Sequence, residues 1–311
     1  MRLPWVGTGM LGGTGMLGGK IARALLAKGD AVSLRVLVRK GAEDGKSGAL
    51  VPELQSKGAT MIGGDLLEPG SLDAATRDVD VVVSAVQGGE DVIIDGQVAL
   101  ANAAHRNGVQ RIIPSDFAID LFQVPADQHV FLGPRRRADE AIAAIGIEHV
   151  HVLNGAFMEV FINPVFGVFD LERGVASYWG DGDTKMDLTT TDDTARFVAE
   201  AALDPDLPNG KFAIAGDQLT MREAIEAVGE AIGHALAIKH LGPVSELERW
   251  IARQKATARS PMGYAMGQYQ LEMETGRGKL SSLVNGRYPH IRPTTFREYL
   301  ASADLHDKVP A

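Results

Sequence analysis

Apolar residues in the first half of the chain form short continuous runs rather than an alternating pattern. Continuous runs are typical of strands that are buried on both faces, as in a parallel sheet. The sequence therefore predicts a series of such strands. The runs cover residues 32–38, 60–62, 80–86, 110–114 and 149–153.

Segments with helical periodicity lie between these runs, and each ends close to a glycine, the residue that most easily adopts the left-handed conformation after a helix. Neighbouring parallel strands need a crossover connection, which is usually a helix. We therefore predict a doubly wound, Rossmann-type α/β fold over residues 3–153. The helical segments are 20–28 before Gly29, 96–106 before Gly108 and 137–144 before Gly146.

The pattern changes beyond residue 154. Residues 180–185 (GDGDTK) form a predicted turn, and Thr191-Asp192-Asp193 is an N-cap signal before a helix. A further helix is predicted over 221–232. We expect a Rossmann domain over 1–154 and a smaller α+β part over 155–311, with a return of the chain to the sheet left open. Residues 250–273 are rich in Met and Tyr; they predict either a helix packed on the sheet domain or a lid over a pocket.

Composition narrows the class of protein. The 311 residues include 31 Lys and Arg against 40 Asp and Glu, so the net charge is −9. This sign argues against direct nucleic-acid or anionic-membrane binding. The absence of Cys excludes disulfides, thiolate nucleophiles and Cys-ligated metals. We expect a soluble cytoplasmic protein without a metal cofactor.

The strongest chemical signal is a glycine-rich segment in which GTGMLG occurs twice, at residues 7–12 and 13–18. Gly12, Gly15 and Gly18 have the GxxGxxG spacing that lets a backbone approach a pyrophosphate at a helix N-terminus. We place the loop at 12–18, because a loop at 7–12 leaves too long a stretch before Arg39. This choice puts the first strand over the glycine-containing residues 6–11, which are poor strand formers.

The end of the next predicted strand suggests which cofactor binds. Arg39 comes 21 residues after Gly18, where a Rossmann domain meets the adenosine ribose. Arg39 and Lys40 provide cations for a 2′-phosphate, whereas an acidic residue there would bind the ribose hydroxyls of NADH. The sequence therefore predicts NADPH. The alternative is that both residues are solvated charges in a turn.

Common catalytic templates are missing. No tyrosine is followed by lysine four residues later, and neither an HExxH motif nor a nucleophile elbow occurs. His149 and His151 occupy alternate positions of one predicted strand, and we favour a structural role for them.

Taken together, eight segments resemble the NmrA-like, isoflavone-reductase-like family of atypical short-chain dehydrogenases, over essentially the whole chain. The resemblance implies a Rossmann domain, NADPH, and either reduction of aromatic ethers and isoflavonoids or redox sensing without catalysis. The segments are GGTGMLG (12–18), LVRK (37–40), GGDLLEPGSL (63–72), DVDVVVSAV (78–86), RIIPSDFAID (111–120), AIAAIGIEHVHVLNGAF (141–157), GDGDTK (180–185) and YPHIRPTTFREYL (288–300).

The resemblance also implies positions for the cofactor contacts. Those at the pyrophosphate are Gly12, Thr14, Gly15, Met16, Leu17 and Gly18; those at the 2′-phosphate are Arg39 and Lys40. Those on the adenine and ribose side are Ser84, Ala85 and Val86; those around the nicotinamide are Ser115, Asp116, Phe117, Asn154, Gly155 and Phe157. Core packing is the alternative for the two phenylalanines.

One position departs from the family. The family's reductases carry a lysine for proton transfer about six residues before the helix segment at 141–142, and here that residue is Arg135. Arginine keeps its proton near neutral pH, so it cannot act as a base, but it can hold an anion or polarise a carbonyl. The alternative for residues 135–137 is a solvated helix start balanced by Asp139 and Glu140. Candidates for proton transfer are then Asp120, His129 or water.

Two classes of function follow. The first is an NADPH-dependent oxidoreductase that transfers hydride to a small aromatic or enone-like substrate. The second is a non-catalytic NADP(H)-binding redox sensor that acts through a regulatory protein partner. We favour the enzyme; a homodimer is a further open possibility.

Overall fold

The computed structural model describes residues 6–39, 48–303 and 305. Its strands are β1 (Val6–Leu11), β2 (Val32–Val38), β3 (Thr60–Gly63), β4 (Val81–Ser84), β5 (Arg111–Ile113), β6 (Glu148–Leu153), β7 (Ala156–Phe157), β8 (Phe169–Asp170), β9 (Val175–Tyr178), β10 (Lys185–Thr189), β11 (Gly210–Ala213), β12 (Asp217–Thr220) and β13 (Ala237–His240). Its α-helices are α1 (Met16–Leu26), α2 (Leu50–Ser56), α3 (Pro69–Thr76), α4 (Gln97–Arg106), α5 (Leu132–Ile145), α6 (Met158–Phe161), α7 (Thr191–Leu203), α8 (Met221–Ile232), α9 (Val244–Thr257), α10 (Met262–Glu274) and α11 (Phe296–Ser302).

The central sheet has seven strands in the order β11-β6-β5-β4-β1-β2-β3. Pairing is parallel from β3 through to β6. The predicted Rossmann-type fold is therefore confirmed, and β2 to β6 match the five apolar runs to within two residues at each end. The chain also returns to the sheet, because β11 comes after the residues that were assigned to the second part.

Burial explains why the runs are continuous. Val81, Val82 and Val83 of β4 are all buried. Consecutive strand residues point to opposite faces, so both faces of this strand are covered. The helices pack through apolar stripes, such as Ile21 and Leu25 on α1.

The chain divides into two compact units that alternate along the sequence. The first contains the described residues of Met1–Phe117, Pro134–Val152 and Thr194–Phe212, and the second those of Ala118–Gly133, Leu153–Asp193 and Ala213–Ala311. A functional boundary after residue 154 stays a prediction. None of the helices in the described ranges is both long and apolar enough to cross a membrane.

The second unit contains two small sheets, in the orders β12-β10-β7 and β13-β9-β8. Its core includes Phe161, whose ring meets those of Phe166, Phe169 and Phe296 edge-on. Capping boxes begin α8, at Thr220 and Glu223, and α11, at Thr295 and Glu298. Helix α8 begins where the sequence predicted it. Helix α7 begins earlier than predicted, because residues 191–193 form its first turn and the Thr190 hydroxyl accepts a hydrogen bond from Asp193 N (3.0 Å).

Candidate functional site

The glycine turn lies between β1 and α1. Gly12 has φ +72°, and a Cβ atom there would lie 2.2 Å from the carbonyl oxygen of Ala85. The Gly12 carbonyl accepts a hydrogen bond from Gly15 N (2.9 Å), and a Cβ atom on Gly18 would lie 2.0 Å from the same oxygen. Close backbone contacts therefore require glycine at 12 and 18, and the turn has the predicted register.

Gly15 differs from these two glycines because its surroundings are open. Among the described residues, only the Gly12 carbonyl oxygen comes within 4 Å of an added Cβ atom, at 3.3 Å. Gly15 and Met16 are exposed, Thr14 and Leu17 are half-buried, and no described side chain caps α1. Backbone N–H groups at the positive end of a helix dipole are thus available to an anionic ligand.

Parallel pairing brings the carboxyl end of β2 beside the carboxyl end of β1, where the glycine turn begins. Leu37 of β2 is paired with Leu11 of β1, so Arg39 follows directly beside the glycine turn. Its side chain is exposed. The neighbouring Lys40, which was predicted to bind the same group, lies outside the described residues.

The end of β4 lies on the other side of β1. Ser84 is paired with Leu11, and Ala85 N donates a hydrogen bond to the Leu11 carbonyl (2.9 Å). Ser84 is buried, and its hydroxyl finds no hydrogen-bond partner within the described parts of the chain. Ala85 and Val86 are half-buried. The structure thus places the residues predicted for the pyrophosphate and the ribose side, together with Arg39, at the carboxyl ends of the adjacent strands β1, β2 and β4.

The segment after β5 is held by hydrogen bonds of Ser115 to Gln97 and to Val86. Ser115 N donates to Gln97 Oε1 (2.7 Å), and Ser115 Oγ donates to the Val86 carbonyl (2.7 Å). Ser115 and Asp116 are buried, whereas Phe117 is half-buried and has φ +36°, which is unusual for a residue with a side chain. The side chain best exposed to a ligand here is therefore that of Phe117.

Arg135 lies beside this segment, in the first turn of α5. Its Nε donates to the Ser115 carbonyl (3.0 Å), and the side chain is half-buried. Of its neighbours, Arg136 pairs with Glu140 (3.2 Å), as the alternative interpretation expected. Arg137 instead pairs with Glu90, and Asp139 is buried rather than part of a solvated helix start, so that part of the alternative is wrong. Arg135 thus differs from the two arginines that follow it in its partner, which is a backbone carbonyl rather than an exposed carboxylate.

Asp120 and His129, the other candidates for proton transfer, belong to the second unit and are buried. Asp120 accepts a hydrogen bond from Phe122 N (3.2 Å). His129 Nδ1 accepts from the backbone N–H groups of Phe131 and Leu132 (3.2 and 3.3 Å), and its ring packs edge-on against Tyr269. Both side chains stabilise local backbone; proton transfer by either stays a prediction.

Asn154, Gly155 and Phe157 also belong to the second unit. Asn154 is buried, and its carbonyl accepts a hydrogen bond from Thr189 Oγ1 (2.6 Å). At Gly155, which has φ +68°, a Cβ atom would lie 2.1 Å from the Asp187 carbonyl oxygen. Strand packing therefore accounts for this glycine. Phe157 is half-buried at the end of β7.

Sequence reasoning missed a buried cluster in the first unit, formed by Asp116, Asp139 and His151. His151 Nδ1 lies 2.9 Å from Asp116 Oδ2 and 3.6 Å from Asp139 Oδ1. Burial and the negative charge of Asp116 raise the pKa of Asp139 well above its usual range. The available signal was position, because Asp139 lies three residues before the buried Ile142 and so on the inner face of α5.

The Met- and Tyr-rich segment forms α9 and α10, which border a cavity of about 400 Å³ in the second unit. Met262, Met266 and Gln270 line it at four-residue spacing along α10. The next position, Glu274, has a pKa raised to about 7 by burial and by Asp181. The other lining residues include Phe166, Trp179, Leu241 and Trp250.

Similar proteins include several reductases. An NmrA-like family domain-containing oxidoreductase of Gibberella moniliformis is 27% identical over 264 residues, which cover 82% of each chain. Isoflavone reductase homolog P3 of Arabidopsis thaliana is 26% identical over 306 residues, 94% of this chain and 96% of the relative. The binary complex of leucoanthocyanidin reductase with NADPH from Vitis vinifera has a TM-score of 0.82 at 20% identity, covering 95% of this chain and 98% of that one. The NmrA-like family model matches residues 9–300, and this chain therefore belongs to the NmrA-like family.

Proposed function

We propose that the protein is an NADPH-dependent oxidoreductase that transfers hydride to a small aromatic or enone-like substrate. The observation that carries the proposal is the glycine turn, in which protein backbone fills the space at Gly12 and Gly18 but leaves Gly15 open. The names of the relatives support the same reaction class, since they include an oxidoreductase and an isoflavone reductase homolog.

The residues at the sheet edge fit NADPH. Gly15 and the first turn of α1 would hold the pyrophosphate, and Arg39, with Lys40, would hold the 2′-phosphate. The buried Ser84 hydroxyl, together with Ala85 and Val86, would meet the ribose and adenine side. NADPH, when bound, supplies the hydride; the protein supplies orientation and electrostatics.

Arg135 would act by charge. An arginine keeps its proton at neutral pH, so this residue can attract or polarise a substrate oxygen but cannot deliver a proton to it. The proton would come from water or from an acid, for which Asp120 and His129 are the candidates. The cavity along α10 in the second unit is lined by indole, phenyl and thioether groups, which suit an aromatic ligand.

The replacement of the family's lysine by Arg135 favours a second candidate, a redox sensor that binds NADP(H) without turnover. Such a protein would act through a partner, and a homodimer or a regulatory protein would fill that role. The two candidates predict the same cofactor binding and differ only in turnover.

The experiment measures NADPH oxidation by the purified protein with aryl ethers, lignans, isoflavonoids, quinones and enones, and in parallel the thermal protection by NADPH. We expect the wild type to oxidise NADPH with a compound of this set. Trp250→Ala should reduce that turnover and leave the thermal protection by NADPH unchanged. Arg135→Lys is the matched variant, because it restores the family's residue. If NADPH protects the wild type but no compound is turned over, whereas Arg135→Lys does turn one over, the wild-type protein is a redox sensor instead.

A further inference from the structure

We propose that Asp139, Asp116 and His151 form a buried proton-sharing cluster, with the shared proton on Asp139, that positions Arg135 and the turn at residues 115–117. The assignment of the proton stands on the structure of the first unit. The positioning role rests in addition on the proposed function.

The three side chains come from three different elements and meet in the interior. Asp116 follows β5, Asp139 lies on α5 and His151 lies on β6, and their exposed fractions are 2%, 2% and 5%. The 2.9 Å separation of His151 Nδ1 and Asp116 Oδ2 is a hydrogen-bond distance, so Nδ1–H donates to Asp116. The 3.6 Å separation from Asp139 Oδ1 is too long for one.

The carboxyl group of Asp139 therefore needs a hydrogen-bond partner other than His151. Two adjacent carboxylates cannot both stay ionised away from water, because each disfavours the charge of the other. One oxygen or nitrogen atom from each of the three side chains lies within 4.8 Å of the other two, and neither carboxylate oxygen of Asp139 has a hydrogen-bond partner among the described residues. A proton on Asp139 removes one charge and supplies a donor for Asp116. Asp116 then keeps its charge and accepts from both His151 and Asp139.

The charged and titratable groups around the cluster agree with this arrangement. Burial is the main cause of the raised Asp139 pKa, followed by the charge of Asp116; Arg135 opposes the shift and Glu140 adds to it. From β6, the ring of His149 lies 5.1 Å from that of His151. Asp139 thus remains the group on which the proton resides.

Along the chain, the cluster adjoins both residues of the hydrogen bond between Arg135 and Ser115. Asp139 lies one helical turn after Arg135 on α5, and Asp116 directly follows Ser115, whose carbonyl accepts from Arg135 Nε (3.0 Å). Asp116 also precedes Phe117, the residue with φ +36°. Such backbone persists only where the surrounding contacts hold it, and the hydrogen bond from His151 to Asp116 is one of them.

The test compares Asp139→Asn with Asp116→Asn. Asparagine at 139 keeps the shape and a donor but cannot ionise, whereas asparagine at 116 loses the charge that accepts two hydrogen bonds. Asp116→Asn should lower Tm throughout. In the wild type, the stability linked to the Asp139 proton is present below the ordinary aspartate range and is lost as pH rises towards the raised pKa. The Tm of Asp139→Asn relative to wild type should therefore increase as the pH rises above the ordinary aspartate range towards the raised pKa of Asp139.

Two measurements separate this proposal from the proposed function. The infrared difference spectrum between the wild type and Asp139→Asn at neutral pH should contain the carbonyl stretch of a protonated carboxylic acid that only the wild type has, whether or not any substrate is found. If turnover is found, Asp139→Ala should reduce it and Asp139→Asn should restore it. The alkaline limb of the wild-type pH profile should also be absent from Asp139→Asn.

Two outcomes would overturn the assignment. Equal dependence of Tm on pH in the wild type and in Asp139→Asn would mean that Asp139 does not hold a proton. A rise in wild-type Tm on addition of Zn²⁺ or Mn²⁺, lost equally in Asp139→Asn and Asp116→Asn, would identify a metal ion as the occupant of the cluster.

Discussion

Residues 7–12 and residues 13–18 have the same sequence, GTGMLG, but adopt different structures. The first copy forms most of β1, an interior strand of the sheet, and ends in the Gly12 turn, while the second forms the rest of the turn and the start of α1. Met10 is 1% exposed and Met16 is 63% exposed. The same hexapeptide sequence thus forms a buried strand in one copy and an exposed turn and helix start in the other.

The difference arises from what surrounds each copy. The first lies between β2 and β4, and Cβ atoms at Gly7 and Gly9 would come within 2.9 and 3.2 Å of the carbonyl oxygens of Asp78 and Ala75. The second is followed by the apolar stripe of α1, which continues the chain as a helix. Glycine in the first copy admits protein backbone, whereas Gly15 in the second faces open space, which we assign to a ligand.

The largest expected effect is a difference in stability between variants of Met10 and Met16, the methionines of the two copies. Met10→Ala should lower the free energy of unfolding by about 2–5 kcal/mol, because it opens a cavity in a packed core. Met16→Ala should change it by less than about 0.5 kcal/mol, because that side chain is on the surface. Urea denaturation of both variants provides the measurement. Similar losses in the two would mean that the copies do not differ in the folded protein.

The next effect concerns the space at Gly15. Its φ of −78° suits any residue, so Gly15→Val should fold, but the added methyl groups would occupy the space assigned to the pyrophosphate. NADPH at about 100 times the wild-type Kd should stabilise the wild type by about 2.7 kcal/mol and the variant not at all. Thermal unfolding without ligand is the control for folding. Undiminished protection would place the cofactor away from this turn.

These contrasts indicate what the sequence could and could not reveal. The buried runs, the glycine stops and the NmrA-like resemblance were sufficient for the sheet and for the turn at 12–18, because each reflects local pattern. The glycine content of β1 looked unfavourable, since its cause, close approach by Asp78 and Ala75, involves residues distant in the sequence. Asp139 was missed for the same reason: its partners Asp116 and His151 are brought to it only by the fold.

Arg39 provides a smaller effect at the same sheet edge. The strand before it pairs with the first copy, while Arg39 itself lies beside the second. Arg39→Ala should weaken NADPH binding about tenfold, or 1.4 kcal/mol, a modest loss because an exposed charge is screened. NADH binding, measured by the same titration, should not change. Equal losses for the two cofactors would refute the assignment to the 2′-phosphate.

The smallest effect compares the two threonines. Thr8 is fully buried, and its hydroxyl has no hydrogen-bond partner in the described ranges of the chain. Replacing such a hydroxyl by a methyl group of similar volume removes a desolvated polar atom, so Thr8→Val should raise the free energy of unfolding by up to about 1 kcal/mol and leave NADPH binding unchanged. Thr14→Val should instead weaken NADPH binding, since Thr14 is half-buried in the turn assigned to the cofactor. Chemical denaturation and NADPH titration of both variants measure the two effects, and a loss of stability in Thr8→Val would show that its hydroxyl is hydrogen-bonded after all.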